Sequence, residues 1–238
     1  MAGTPNEFST PEGFEFDALR RAENYRTTLL AEFRHFLKGH VLEIGAGIGQ
    51  ITCALSRLPG IEKLLAVEPE ARFCQSFRRL HPRLTVLEGT LETVQIEPDW
   101  DAIVCVNVLE HIREDEAELG RFRQKLAARR GHLCLFVPAR QEIYAPIDRD
   151  FGHYRRYARP ELSQKLRRAG FSVLRLHYFN FIGYFAWWLC FCLLQNRQFD
   201  VDSVTFFDRF VLPWSSALER TVLRPPLGQS VIAVARAG

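Results

Sequence analysis

Eleven residues, His40 to Gln50, constrain the fold of this chain more than any other stretch: HVLEIGAGIGQ. Val41, Leu42 and Ile44 make a short apolar run of the kind buried on both faces of a parallel sheet. The run stops at Gly45-Ala46-Gly47-Ile48-Gly49, where glycine permits positive φ and lets a ligand lie against the backbone. Ile51, Ala54, Leu55 and Leu58 then recur at helical spacing. Strand, glycine turn and helix together read as the first unit of a nucleotide-binding α/β sheet.

Two kinds of ligand compete for such a turn. A dinucleotide site uses G-x-G-x-x-G, with the pyrophosphate on the helix N-terminus. Here the glycines are spaced G-x-G-x-G and position 50 is Gln. Glu43 stands just before the turn, where a carboxylate repels pyrophosphate but suits a ligand carrying an ammonium and a sulfonium. The E-x-G-x-G-x-G pattern resembles motif I of the class I S-adenosylmethionine-dependent methyltransferases. That resemblance implies a Rossmann-like seven-stranded α/β sheet in the order 3-2-1-4-5-7-6. It also implies adenosylmethionine as cofactor, with S-adenosylhomocysteine as product, and a turn (Glu43, Gly45, Ala46, Gly47, Gly49, Gln50) that holds the donor.

Composition narrows the class. A chain of 238 residues, 47% hydrophobic, can bury one sizeable core. Residues 1–16 are expected to form a flexible arm and 17–238 a single domain. The net charge of +3 and the scattered basic residues argue against a nucleic-acid partner. Six cysteines without a C-x-x-C read as free thiols in a reducing compartment. The N-terminus lacks a basic stretch followed by an apolar one, so no signal peptide is expected and the cytoplasm is the default.

Along the chain, Asp17 to Leu37 reads as a helix, with Tyr25 placed to reach a cofactor carboxylate or close the pocket. The plain alternative for Tyr25 is a packing tyrosine. A second strand, Leu64 to Val67, ends in Glu68-Pro69, 23 residues after Gly45. A carboxylate at that strand tip can accept both hydroxyl hydrogens of a ribose. A third strand, Leu84 to Leu87, precedes Gly89-Thr90-Leu91, the loop that holds the adenine edge in the methyltransferases. Many relatives have an acid after the glycine, and this chain has Thr90.

The fourth strand, Asp101 to Val106, runs into Asn107-Val108-Leu109-Glu110-His111-Ile112. This resembles methyltransferase motif IV in its small-molecule form, so Asn107, Val108, His111 and Ile112 are expected to face the donor. His111 is a candidate base or a residue that orders the loop. A helix over Glu114 to Arg129 and a fifth strand, His132 to Val137, lead to Tyr144–Tyr157, read as a loop rich in His, Tyr, Arg and Asp. Its D-x-x-x-G-H-Y-R-R-Y pattern resembles a segment of methyltransferases acting on small molecules and on sugar or lipid precursors. His153 is the first candidate base, ahead of Tyr25 and His111. Tyr144, Asp148, Tyr154, Arg156 and Tyr157 are expected at the acceptor. The plain alternative is a salt-bridged surface loop in which Arg155 and Arg156 pair Asp148 and Asp150.

The sixth strand, Phe171 to Tyr178, and the last, Ser230 to Ala235, are separated by an insertion over 179–229. It opens with FNFIGYFAWWLCFCLL, sixteen uncharged residues, short of the roughly 20 needed to span a bilayer. A helical, aromatic-rich cap over the acceptor pocket, a homodimer interface through 179–214, and a peripheral membrane patch all remain open. A second apolar segment, Phe206 to Trp214, is placed to cover the first. Trp187 and Trp188 suggest a planar, apolar acceptor.

The implied reaction is methyl transfer to a small hydrophobic or aromatic metabolite, at carbon, oxygen or nitrogen; an indole-like intermediate would suit the pocket. A lipid-linked or sugar precursor at a membrane surface is the runner-up, and a non-catalytic adenosylmethionine-binding scaffold the third reading. Without H-E-x-x-H, a paired-acid motif or a nucleophilic cysteine, neither a hydrolase nor a metal site is expected.

Overall fold

The computed structural model describes residues 22–198, 200–221 and 225–238. The arm expected over 1–16 and the helix start expected at Asp17 lie outside them. Five parallel strands form the body of the sheet: β1 (Gly39–Ile44), β2 (Ile61–Glu68), β3 (Val86–Glu88), β4 (Ala102–Val106) and β5 (His132–Pro138). β6 (Phe171–Phe179) and β7 (Ser230–Ala237) complete it, with β7 antiparallel to both β5 and β6. The order is β3-β2-β1-β4-β5-β7-β6, as expected from the sequence.

Alternation along the central strands divides the core in two. Leu42, Ile103, Leu133 and Leu135 point to one face, where they meet Leu119 and Phe122 of α4 (Asp115–Leu126) and Leu162 and Leu166 of α6 (Arg159–Arg168). Val41, Val104, Cys134 and Phe136 point to the other, against Leu29, Leu30 and Phe33 of α1 (Glu23–Phe33) and Leu55 of α2 (Gln50–Leu55). Each such side chain contributes about 1.5–3 kcal/mol on burial. All six cysteines are free, and Cys74, Cys105 and Cys134 are buried.

Two expectations need correction. β3 begins two residues later than Leu84, because the Leu84 N–H is donated to His81 in the turn that follows α3 (Ala71–Leu80). The stretch Tyr144–Tyr157 is not wholly loop, since Pro146 starts a short helix, α5 (Pro146–Asp150), whose Asp148 accepts the Ala145 N–H at 2.8 Å.

The insertion begins where Asn180, at φ 62°, leaves β6 and its side chain accepts the Gly183 N–H at 2.9 Å. α7 (Phe181–Trp187) continues into a π-helical segment, Trp188–Leu193, and α8 (Val201–Phe206) into another, Phe207–Val211, before α9 (Leu212–Thr221). The second apolar segment does not cover the first as expected. Their inner faces meet over a cavity, while Phe185, Trp188, Phe206, Phe210 and Trp214 stand exposed, Trp214 at 81%.

Carboxylates from the insertion fasten it down. Asp208 accepts the Asn24 and Tyr25 N–H groups at 3.0 and 2.8 Å, capping α1, which has no side-chain cap of its own. Glu219 does the same for Asn180 and Phe181, at 3.1 and 2.8 Å. Asp208→Ala strips the α1 cap, so the unfolding free energy is expected to fall by about 1–2 kcal/mol. Urea denaturation monitored by circular dichroism checks this, and an unchanged midpoint would deny the cap its role.

Candidate active site

The glycine turn is built for close approach. Gly45 lies at φ +71°, and a Cβ there would sit 2.2 Å from Val108; Gly49, at φ +88°, would collide with Phe77 and His81. Glu68, at the tip of β2, accepts the Gly47 N–H through Oε2 at 2.7 Å and the Glu70 N–H through Oε1 at 2.9 Å. One carboxylate therefore ties the turn to the neighbouring strand. Burial raises the Glu68 carboxyl, and those two N–H groups oppose the rise. Beneath the turn Glu43 is buried, and its Oε2 has no hydrogen-bond partner among the described residues. Burial, with the Glu68 charge adding to it, pushes Glu43 up to about 8.

These groups line a cavity of about 270 Å³ beyond the strand tips, with Ala46, Gln50, Pro69, Val108 and His111. Gly47, Gly49, Gly89, Thr90, Leu91 and Ile112 do not reach it. Leu91 belongs to the core, and the Thr90 N–H is donated to Thr93 Oγ1 at 2.9 Å. Phe73 and Arg26 do line it, and nothing in their sequence setting singled them out.

A second cavity, of about 320 Å³, lies between the strand tips and the insertion. Trp187, Phe191, Phe207 and Leu212 supply carbon to its wall, and His153, Arg156 and Glu110 supply polar groups. Tyr25, Asn107 and Phe151 line both cavities, so the two meet at the tip of β4. Asn107 holds φ +52°, unusual for a residue with a side chain, while its N–H is donated to Phe136 O at 2.9 Å.

His153 is buried and its Nδ1 lies 2.9 Å from Asp148 Oδ1. Asp148 is fully buried and also accepts Arg156 Nε and Nη2, at 2.9 and 2.8 Å. Burial alone would raise the Asp148 carboxyl, but bonds from His153, Arg156 and Ala145 outweigh it and hold it below the usual range. The Arg156 guanidinium stacks 4.3 Å above the Trp187 ring. His111 faces the glycine-turn cavity and meets His153 edge-on, ring centres 4.6 Å apart. Burial first, and then His153, push His111 down to about 4.

The rest of the expected acceptor set sits elsewhere. Tyr157 is a core residue whose hydroxyl donates to Asp115 at 2.9 Å. Tyr154 is half exposed beneath Arg113 and Arg155, and Arg155 pairs Asp115 at 3.0 Å. Asp150 pairs Arg197 rather than Arg155. Tyr144 donates its hydroxyl to His153 O at 2.6 Å, bracing that residue from behind. Trp188 points outward at 45% exposure. The H-Y-R-R-Y segment is thus part clamp and part site: His153 and Arg156 face the cavity, and the remainder anchor the chain.

The family profile described as Methyltransferase domain matches residues 16–176. No curated protein matches the sequence. Among solved structures, a methyltransferase of Archaeoglobus fulgidus that depends on S-adenosylmethionine (SAM) is similar at 16% identity. It covers 94% of this chain and 98% of its own, with a TM-score of 0.59. A SAM-dependent methyltransferase of Thermotoga maritima is similar at 17% identity, covering 92% of each chain with a TM-score of 0.60. A TehB-like SAM-dependent methyltransferase of Corynebacterium glutamicum, 18% identical, covers 90% of this chain and 87% of its own with a TM-score of 0.54. The glycine-turn cavity fits such a nucleoside, offering a buried orphan carboxylate oxygen on Glu43 and a second acid at the β2 tip.

Glu43 gives that fit a pH signature. Its folded value lies above its unfolded one, so the ligand-free fold loses stability from this group as pH rises from about 4.5 to 8. Cationic groups arriving beside it draw the proton off. Adenosylmethionine binding at pH 7 is therefore expected to release protons, read by calorimetry in buffers of different ionisation enthalpy. Glu43→Gln should abolish the release, and heats independent of buffer in the native protein would contradict the assignment.

Proposed function

We propose an acceptor class on one premise: the chain belongs to the methyltransferase-domain family, as a class I enzyme that uses S-adenosylmethionine and leaves S-adenosylhomocysteine. The acceptor is a small hydrophobic or aromatic molecule held in the insertion cavity. The observation that carries this reading is the carbon-rich 320 Å³ cavity that meets the donor cavity at Tyr25, Asn107 and Phe151. Its volume suits a ligand of metabolite size.

The bound donor supplies an electrophilic methyl group. The chain's contribution is to hold acceptor and donor end to end, which removes much of the entropic barrier. Trp187, stiffened by Arg156, offers a flat wall. Tyr25 packs edge-on against Phe136 and Phe179, which fixes its ring where the cavities join. Asp148 sets the tautomer of His153 by taking Nδ1–H, and Nε2 is then the nitrogen offered to the acceptor's proton. A base so placed contributes about 10²–10⁴-fold for a hydroxyl or amine acceptor.

The outer face of the insertion favours a second reading. Phe185, Trp188, Leu193, Phe206, Phe210 and Trp214 present a broad apolar surface beside the same cavity. That suits a lipid-linked acceptor taken up at a membrane surface, although no described helix is long and apolar enough to cross a membrane. The same face would serve a homodimer.

A labelled-methyl screen across aromatic, lipid-linked and sugar acceptors tests the first reading, with transfer expected to apolar ring compounds. In the responsive acceptor, His153→Ala should lower turnover at least 100-fold while adenosylmethionine affinity holds. Turnover at the native rate would remove His153 from the chemistry. Co-sedimentation with anionic vesicles, lost in Trp214→Asp, would instead support the membrane reading.

A further inference from the structure

Glu110, His111 and His153 each place a ligand atom within 4.8 Å of the others, although His153 is 42 residues away along the chain. The geometry points to a site for one divalent cation here, held by the Glu110 carboxylate and the two imidazoles. This rests on the acceptor cavity proposed above and deepens it: the acceptor is then an oxygen acid, a phenol, enol or hydroxyl whose oxygen meets the cation.

Position is the first support. Glu110 and His153 line the insertion cavity, and His111 lines the glycine-turn cavity, so the three side chains surround the junction where transfer must occur. Orientation is the second. A histidine ligand commonly donates its other ring N–H to a carboxylate or a backbone carbonyl, which fixes the tautomer and raises its basicity. His153 has that arrangement with Asp148 at 2.9 Å, and the His111 ring bonds the Phe151 backbone. Asp148 is itself locked by Arg156 and Ala145.

Charge is the third support. Glu110 is fully buried, and in that low-dielectric setting its carboxylate attracts a cation far more strongly than it would in water. Two imidazoles and one carboxylate suit Zn²⁺, Mn²⁺, Fe²⁺ or Co²⁺ better than Mg²⁺ or Ca²⁺, and three protein ligands leave room for an acceptor oxygen.

A cation there lowers the pKa of the acceptor hydroxyl. The proton passes to water, an oxygen lone pair forms the bond to the methyl carbon, and the methyl–sulfur electron pair returns to sulfur. His153 is then a ligand through Nε2 rather than the base.

The test is titration of the full chain, stripped with EDTA and kept reduced, with Co²⁺ and then Zn²⁺. The expected result is one Co²⁺ per chain, a visible spectrum without a thiolate charge-transfer band, and displacement by Zn²⁺. His111→Ala and His153→Ala should each weaken Co²⁺ at least tenfold. His177→Ala, on β6 and paired with Glu32, should leave it unchanged. Absence of saturable binding, or an affinity unmoved by both site variants, would overturn the site; far-ultraviolet circular dichroism on the same samples controls for folding. Transfer to an apolar hydroxyl acceptor at full rate in stripped protein would remove the cation and keep the acceptor reading. Co²⁺ bound as expected, with no apolar acceptor methylated, would keep the site and remove that reading.

Discussion

One buried carboxylate, Asp148, holds together the side of this protein that carries the insertion cavity. A charge in its fully buried position costs several kcal/mol unless it is fully bonded. Asp148 meets that condition with donors from Ala145, His153 and Arg156. Each bond places something: the start of α5, the imidazole at the cavity wall, and the guanidinium over Trp187. Removing the carboxylate would therefore free a histidine, strand a buried arginine and loosen the insertion at once. The geometry of the site and the attachment of its cap are one problem, solved by one side chain.

The donor side follows the same logic with different parts. Glu68 stitches the glycine turn to β2 through Gly47 and Glu70, leaving Glu43 buried beneath. Asp208 then pins the insertion to α1, while Glu219 closes the insertion onto the start of its own first helix, α7. Because Asp208 takes the Tyr25 N–H, and Tyr25 lines both cavities, the insertion is mechanically tied to the place where the two cavities meet. A shift of the insertion cannot leave Tyr25 untouched.

The sheet was legible because its signals are local. Val41–Ile44 and the glycine turn needed no tertiary knowledge, and the strand order followed from family resemblance. Glu43, Glu68, Asn107, His153 and Trp187 were readable for the same reason: each sits at a strand tip or in a dense motif, and each reaches a cavity. What failed was the assignment of whole motifs to one role. Within H-Y-R-R-Y, the pairing of Arg156 with Asp148 was among the readings, but spacing could not show that Tyr157 and Arg155 turn to Asp115. That choice depends on where α4 lies, which is long-range information. The insertion misled for a related reason, because uniform apolarity cannot tell an inner face from an outer one, and Trp187 and Trp188 went opposite ways.

Several departures from local rules line the two cavities, while Arg130, Arg140 and Gln195, also at positive φ, lie outside both linings. Asn107 at φ +52° and Asn180 at φ +62° take conformations that L side chains disfavour, both just past strand ends that face the cavities. Glu43 keeps a buried oxygen without a hydrogen-bond partner among the described residues, and two π-helical segments interrupt the insertion helices over the second cavity. Such departures cost stability, and the sheet has its own, with register shifts between Gly39 and His40 and between Val173 and Arg175. Those at the cavities differ in that a ligand could relieve them. For Glu43 the relief is electrostatic: cationic groups beside the turn would favour the ionised form that burial now opposes. A cationic ligand beside the turn would thereby recover part of the stability that burying the Glu43 carboxyl costs.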